Sequence, residues 1–115
     1  HELDRIGAFD EAVVAAHGRN LDGLRAFLAD YPPERVAAVT GIPADTLRAV
    51  ARDWAAADGA SVTMSTGVNM GRQPTLAYWL VHMLSFVTGN LDRRGGTLVG
   101  KGITFDTGGI SIKPA

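Results

Sequence analysis

The 115 residues contain no cysteine. Disulfides, cysteine-ligated iron–sulfur clusters, thiolate zinc sites and a cysteine nucleophile are therefore excluded from this stretch. An excess of charge of either sign is also missing: 11 Lys and Arg stand against 12 Asp and Glu, for a formal net charge of −1. With no basic surplus to neutralise phosphates, nucleic acid is not an expected partner. Nor is there a long hydrophobic run. The longest, around Leu76 to Val87, is interrupted by His82 and Ser85 and is too short to span a bilayer. The chain opens on His1-Glu2 without the pattern of a signal peptide and stops at Lys113-Pro114-Ala115, so both ends read as cuts. A cytoplasmic location is the expectation.

What is present is an ordinary globular balance, 46% hydrophobic and 20% charged, enough for one small core. Phe9, Ala12, Val13 and Ala16 recur at helical spacing, as do Leu21, Leu24, Phe27 and Leu28. Tyr31-Pro32-Pro33 breaks that pattern. Pro33 is suited to open a helix with Glu34 in its first turn, Gly41 to end it, and Pro43 to start the next. In that next helix Leu47, Val50, Ala51 and Trp54 form one apolar stripe, with Arg48, Arg52 and Asp53 facing away.

Asp58-Gly59 turns the chain into Ser61-Val62-Thr63-Met64-Ser65, a β-prone stretch, and Thr66 to Pro74 reads as a loop. A second helix is expected from about Thr75 to Val87, with Leu76, Trp79, Leu80, Met83 and Val87 on one face. Gly89-Asn90 ends it, and Asp92 to Gly96 makes a polar turn. Thr97-Leu98-Val99 has strand character, and four glycines among residues 100–109 imply tight backbone turns. The expected fold is thus an α/β fragment, mostly helical: a helix pair, a strand–loop–helix unit, then a glycine-rich β-like tail. His82 is read as a satisfied or exposed helix histidine, and His17 beside Gly18 as a helix-end residue; neither is assigned to chemistry.

From about Phe27 to Gly96 an ordered series resembles the large subunits of molybdopterin-dependent oxidoreductases, such as formate dehydrogenases and the dimethyl sulfoxide reductase superfamily. It runs through Tyr31-Pro32-Pro33-Glu34-Arg35, Thr40-Gly41-Ile42-Pro43, Ser65-Thr66-Gly67-Val68-Asn69-Met70-Gly71 and Leu84-Ser85-Phe86-Val87-Thr88-Gly89-Asn90-Leu91-Asp92. The resemblance implies part of an α/β domain that helps hold molybdopterin guanine dinucleotide, with residues 1–96 as a partial domain. Open α/β sheets bind ligands beyond the carboxyl ends of their strands. Gly67 and Gly71 would let backbone approach a flat pterin or pyrophosphate, and Asn69 and Arg72 would hydrogen-bond it. The family's metal ligand, iron–sulfur segment and opposing cofactor domain have no counterpart in this sequence, and the missing remainder of such an enzyme is an implied partner.

The last residues are different. Val99-Gly100-Lys101-Gly102-Ile103-Thr104-Phe105-Asp106-Thr107-Gly108-Gly109, followed by Ile110-Ser111-Ile112-Lys113-Pro114, is similar to the metal-binding segment of leucyl (cytosol) aminopeptidases. A phosphate loop cannot be laid on Gly100-Lys101-Gly102-Ile103. The resemblance implies that Lys101 and Asp106 are ligands of a manganese or zinc pair and that Lys113 stabilises an oxyanion. Asp106 suits a bridging carboxylate, Lys101 would bind as the neutral amine beside a dication, and Lys113 would stay charged. The family's further aspartate and its Asn-Thr-Asp-Ala-Glu-Gly-Arg segment are not in this sequence. The expected organisation is therefore composite, with an aminopeptidase-like segment over 97–115 joined near Gly95 to Val99, and no turnover of either kind from the isolated chain. A non-enzymatic helical module, self-associating through exposed apolar faces, is the remaining alternative.

Overall fold

The computed structural model describes residues 1–98. Seven helices follow in order: α1 (Glu2–Arg5), α2 (Glu11–His17), α3 (Leu21–Ala29), α4 (Pro33–Thr40), α5 (Ala44–Ala56), α6 (Thr66–Asn69) and α7 (Pro74–Val87). Their limits follow the local chemistry. Asp10 caps α2 by accepting a hydrogen bond from Val13 N at 3.0 Å. Pro33 occupies the first turn of α4, where a missing N–H costs nothing, and Gly41 ends that helix in the left-handed conformation at φ 77°. Pro43 stands one residue before α5 rather than as its first residue, and α7 begins at Pro74.

The apolar core is small and sits where α2, α3 and α7 meet. Phe9, Val14 and Val87 are buried, with Leu21, Leu24, Leu28, Met83 and Phe86 packed around them. Asp10 N donates to Val87 O at 2.7 Å, fastening the start of α2 to the end of α7. Arg25 spans α1 and α2 from α3, donating to Asp4 at 2.8 Å and Glu11 at 2.6 Å. On the other side α5 packs against α1 and α4, and Arg48 pairs with Glu34 across the α4–α5 turn. The α5 stripe is narrower than its spacing suggests. Ala51 is buried, whereas Val50 is 59% exposed, because α1 and α4 cover only the side that carries Leu47, Ala51 and Trp54. Arg48, expected to face away, is instead half-buried by its ion pairs.

A second centre of order is polar. Asn90, only 5% exposed, accepts from Ala60 N through Oδ1 at 3.0 Å and donates to Thr88 Oγ1 at 3.0 Å. The same Thr88 hydroxyl accepts from Trp54 Nε1 at 3.0 Å and donates to Leu84 O at 2.7 Å. Asn90 N donates to Ser85 O and Thr97 N donates to Asn90 O, both at 2.7 Å. Fully buried Ser85 meets Thr97 Oγ1 at 3.0 Å. One asparagine thus ties the end of α5, the turn after it, the end of α7 and the 90–97 turn together.

The strand–loop–helix unit expected here is not formed. Residues 61–65 belong to no strand, and the pairing among the described residues is a single parallel bridge between Leu91 and Thr97. A strand needs a neighbour for its ladder hydrogen bonds, and no described segment offers one to 61–65. The expected loop at 66–74 contains the one-turn helix α6. The described residues are mostly helical, and the strand character at 97–99 reaches only Thr97 of the bridge, with Val99 and the glycine-rich tail outside the described residues.

Replacing Asn90 with Ala should cost about 2–4 kcal/mol, since it strands the Ala60 N–H and loosens Thr88 in a buried network; urea unfolding measures it, and a loss below about 0.5 kcal/mol would remove the network from its central place. Acid stability is a second readout. The Arg5 hydrogen bond holds the Glu2 carboxylate below the usual glutamate range, against its own burial. A folded pKa below the unfolded one contributes stability above the unfolded value, and that contribution is lost as pH falls through the folded value. The thermal midpoint should therefore drop on acidification below the ordinary glutamate range, and Glu2→Gln should flatten that drop; an identical acid limb in the variant would discard the assignment.

Candidate functional site

The residues expected to face a cofactor lie together on the surface. Ser65 O accepts from Val68 N at 3.1 Å and Asn69 N at 3.3 Å, and Thr66 O accepts from Met70 N at 2.9 Å. These bonds wind 66–69 into α6, which rests on α7. Gly67, Asn69, Gly71 and Arg72 are all exposed. Among the described residues neither the Asn69 amide nor the Arg72 guanidinium has a side-chain partner. Two donor groups three residues apart in the chain thus have no side-chain partner among the described residues.

The glycines divide into two kinds. Gly59 adopts φ +91°, and a Cβ there would fall 2.8 Å from the backbone carbon of Gly95, itself at φ +80°. Only glycine permits that approach of two chain segments. At Gly67 no positive φ is needed and an added Cβ would meet nothing within 4 Å. Folding of the described residues gives no reason for a glycine there.

Lys101, Asp106 and Lys113 lie outside the described residues. Within the described residues no group of three His, Cys, Asp or Glu could hold a metal ion. His82 is satisfied by its own helix, with Nδ1 2.9 Å from Tyr78 O and its ring 4.3 Å from that of Tyr78. His17 occupies the last turn of α2. No described helix is long and apolar enough to cross a membrane.

Two features escaped the sequence reading. The Trp54–Thr88–Asn90 network gives no periodic signal, since it joins the Trp54 ring N–H to polar residues 34 and more positions further along. The second is an apolar groove of ≈ 620 Å³ between α3 and α7. Its α7 wall includes Leu76 and Trp79, which are 42% and 46% exposed although the helical stripe reads as a core face.

Gly67→Ala should leave thermal stability within about 0.5 kcal/mol of the parent, whereas Gly59→Ala should cost about 1–3 kcal/mol through the strained φ and the clash with Gly95. Paired melts compare them, and equal losses would refute the division.

A family model described as the cytosol aminopeptidase family, catalytic domain, matches residues 30–115. Among curated relatives, the periplasmic nitrate reductase of Desulfovibrio desulfuricans is 32% identical over 78 residues, 68% of this chain and 10% of the relative. Formate dehydrogenase H of Escherichia coli is 29% identical over 93 residues, 81% of this chain and 13% of the relative. A cytosol aminopeptidase of Aeromonas salmonicida is 70% identical over 27 residues, 24% of this chain and 5% of the relative. The chain thus spans about a tenth of the length of the curated relatives it matches. No solved structure matches significantly. The oxidoreductase similarity is long and dilute, the aminopeptidase similarity short and dense. The nitrate reductase match cannot fit in the 29 residues that precede the family model's match, so the two similarities share residues. By its family model the chain belongs to the cytosol aminopeptidase family over residues 30–115, and in part of that same span it is similar to molybdopterin oxidoreductases.

Proposed function

We propose that the described residues are a piece of a molybdopterin-dependent oxidoreductase that contributes the Gly67–Arg72 turn to a surface holding a pterin dinucleotide, and that this piece is inactive alone. The observation carrying the reading is the pairing of open space at Gly67 with the free Asn69 amide and Arg72 guanidinium. These groups fit the ligand chemistry: an amide both donates and accepts along a pterin edge, and a guanidinium binds phosphate oxygens in a bidentate way. The bound cofactor's molybdenum would supply the redox chemistry, while Gly67, Asn69, Gly71 and Arg72 bind and orient. Residues 61–65 would gain a ladder partner from the remainder of the enzyme, completing the strand–loop–helix unit.

A second reading applies to the C-terminal motif and is favoured by the family match over 30–115. Here Lys101 and Asp106 would hold a manganese or zinc pair, Lys101 as a neutral amine and Asp106 as a carboxylate, the metals would supply an activated water, and Lys113 would stabilise the oxyanion. Two ligands do not hold a working pair, so turnover awaits further carboxylates. A cytosolic location goes with this reading, as the aminopeptidase relatives' name states. The oxidoreductase reading suits either compartment, because one relative is a periplasmic enzyme.

Quenching of pterin fluorescence on adding the full chain to molybdopterin guanine dinucleotide tests the first reading. Arg72→Ala should weaken binding roughly tenfold, the worth of a charge-assisted hydrogen bond; no saturable binding by the parent chain would end the loop's role. For the motif, calorimetry should detect manganese uptake that Asp106→Asn abolishes, with leucine anilides left uncut. Hydrolysis by the metal-loaded chain would overturn the expected inactivity.

A further inference from the structure

The sequence holds two Asp-Gly pairs, Asp22-Gly23 and Asp58-Gly59. Such a pair can modify itself, because glycine has no side chain to shield its nitrogen from the aspartate carboxyl. Both aspartates are exposed, so access to water does not separate them. Their backbones do.

Asp22 and Gly23 lie in the first turn of α3. Helical φ and ψ at Asp22 direct the Gly23 nitrogen away from the Asp22 side chain. Turning it back would unwind the start of α3, break the bond from Leu24 N to Asn20 O at 3.2 Å and pull Leu21 and Leu24 off the core. Asp58 and Gly59 lie just past the end of α5, in no helix. Gly59 N donates to Ala57 O at 2.9 Å, which closes a three-residue turn around Asp58. Beyond that bond, the turn is held by the Asp58–Arg93 ion pair at 2.9 Å and by the contact of Gly59 with Gly95. The Asp58 side chain is fully exposed in its pair, and an exposed pair restrains weakly. A turn without a buried side chain is among the first parts of a fold to open.

We propose that Asp58-Gly59 is a site of spontaneous isoaspartate formation, that α3 protects Asp22-Gly23 from the same reaction, and that the product cannot close its turn against Gly95. The chemistry needs only water. With the turn open, the Gly59 nitrogen attacks the protonated Asp58 carboxyl at Cγ. An N–C bond forms, the C–OH bond breaks, and the proton of the nitrogen leaves with the hydroxyl as water. The cyclic imide then takes up one water. Attack at its side-chain carbonyl restores aspartate, whereas attack at its main-chain carbonyl leaves the chain running through Cβ and Cγ beside a free α-carboxylate. Nothing is oxidised or reduced, and the mass of the chain is unchanged.

The isoaspartate main chain is longer by one carbon, and that carbon falls where there is little room. A Cβ on Gly59 would already lie 2.8 Å from the backbone carbon of Gly95, and the next residue donates through Ala60 N to Asn90. Isoaspartate at position 58 therefore breaks the Gly59–Gly95 contact or the Ala60–Asn90 bond, and loosens α5 from the 90–97 turn. This chemistry depends on neither enzyme resemblance.

Warm storage of the full chain at neutral pH, followed by trypsin digestion and mass spectrometry, tests the site. Cleavage after arginine puts Asp22 in peptide 20–25 and Asp58 in peptide 53–72, and electron-transfer fragmentation tells isoaspartate from aspartate. In the folded chain position 58 should convert at least about tenfold faster than position 22, a ratio that needs only a small difference in local opening energy. In urea the two rates should converge. Arg93→Gln should speed conversion at 58 roughly two- to fivefold, the worth of one exposed ion pair, and leave 22 unchanged; Asp58→Glu should stop it. The purified isoaspartyl form should melt about 5 °C or more below the parent. Equal rates at 22 and 58 in the folded chain, no isoaspartate at 58, or indifference to Arg93→Gln would overturn the proposal. An unchanged melting midpoint would overturn the loss of the turn's contacts.

Discussion

Asn90 is the residue on which the rest of the described structure depends. Its amide is buried between segments far apart in the chain, and it satisfies Ala60 N and the Thr88 hydroxyl at once. Through Thr88 the network reaches the Trp54 indole on α5, and through its own backbone it reaches Ser85 and Thr97. No buried side-chain donor or acceptor in the described structure goes without a partner. A buried polar network that is complete in this way specifies one arrangement, because every alternative strands a hydrogen-bonding group away from water. The residues that lead into α6 begin next to Ala60, so the network also fixes where that segment starts.

The apolar contribution is modest by comparison. Three side chains, Phe9, Val14 and Val87, make the buried cluster, while Leu76, Trp79, Leu80, Val39 and Val50 remain on the surface. Apolar stripes on α5 and α7 are wider than the surfaces offered to cover them. That surplus leaves the apolar groove along α7.

Helix limits were legible because they depend on neighbours in sequence. Pro33, Gly41 and Gly89 act through their own φ angles, and their effects were readable without knowing the fold. The candidate segment was legible only as a group of residue types: Gly67, Asn69, Gly71 and Arg72 are each exposed, Gly67 and Asn69 within α6 and Gly71 and Arg72 beyond its end. Residues 61–65 form no strand among the described residues, because β-propensity says only that a segment suits a sheet, and a sheet needs a second segment. The inward faces of α5 and α7 were misjudged in the same way, since periodicity marks which residues could be covered without saying by what.

The sequence by itself determined the helical segments, the turns at Asp58-Gly59 and Asp92 to Gly96, and the double resemblance, all of which are carried by short-range patterns. Tertiary structure alone decided that Asn90 is the junction, that Gly59 must be glycine because Gly95 lies against it, and that half of the α7 stripe is left uncovered. These are contacts between residues thirty or more apart in the chain, or exposures set by what packs where. A pattern in sequence records what each residue can do; the meeting of distant segments decides which of those capacities is used.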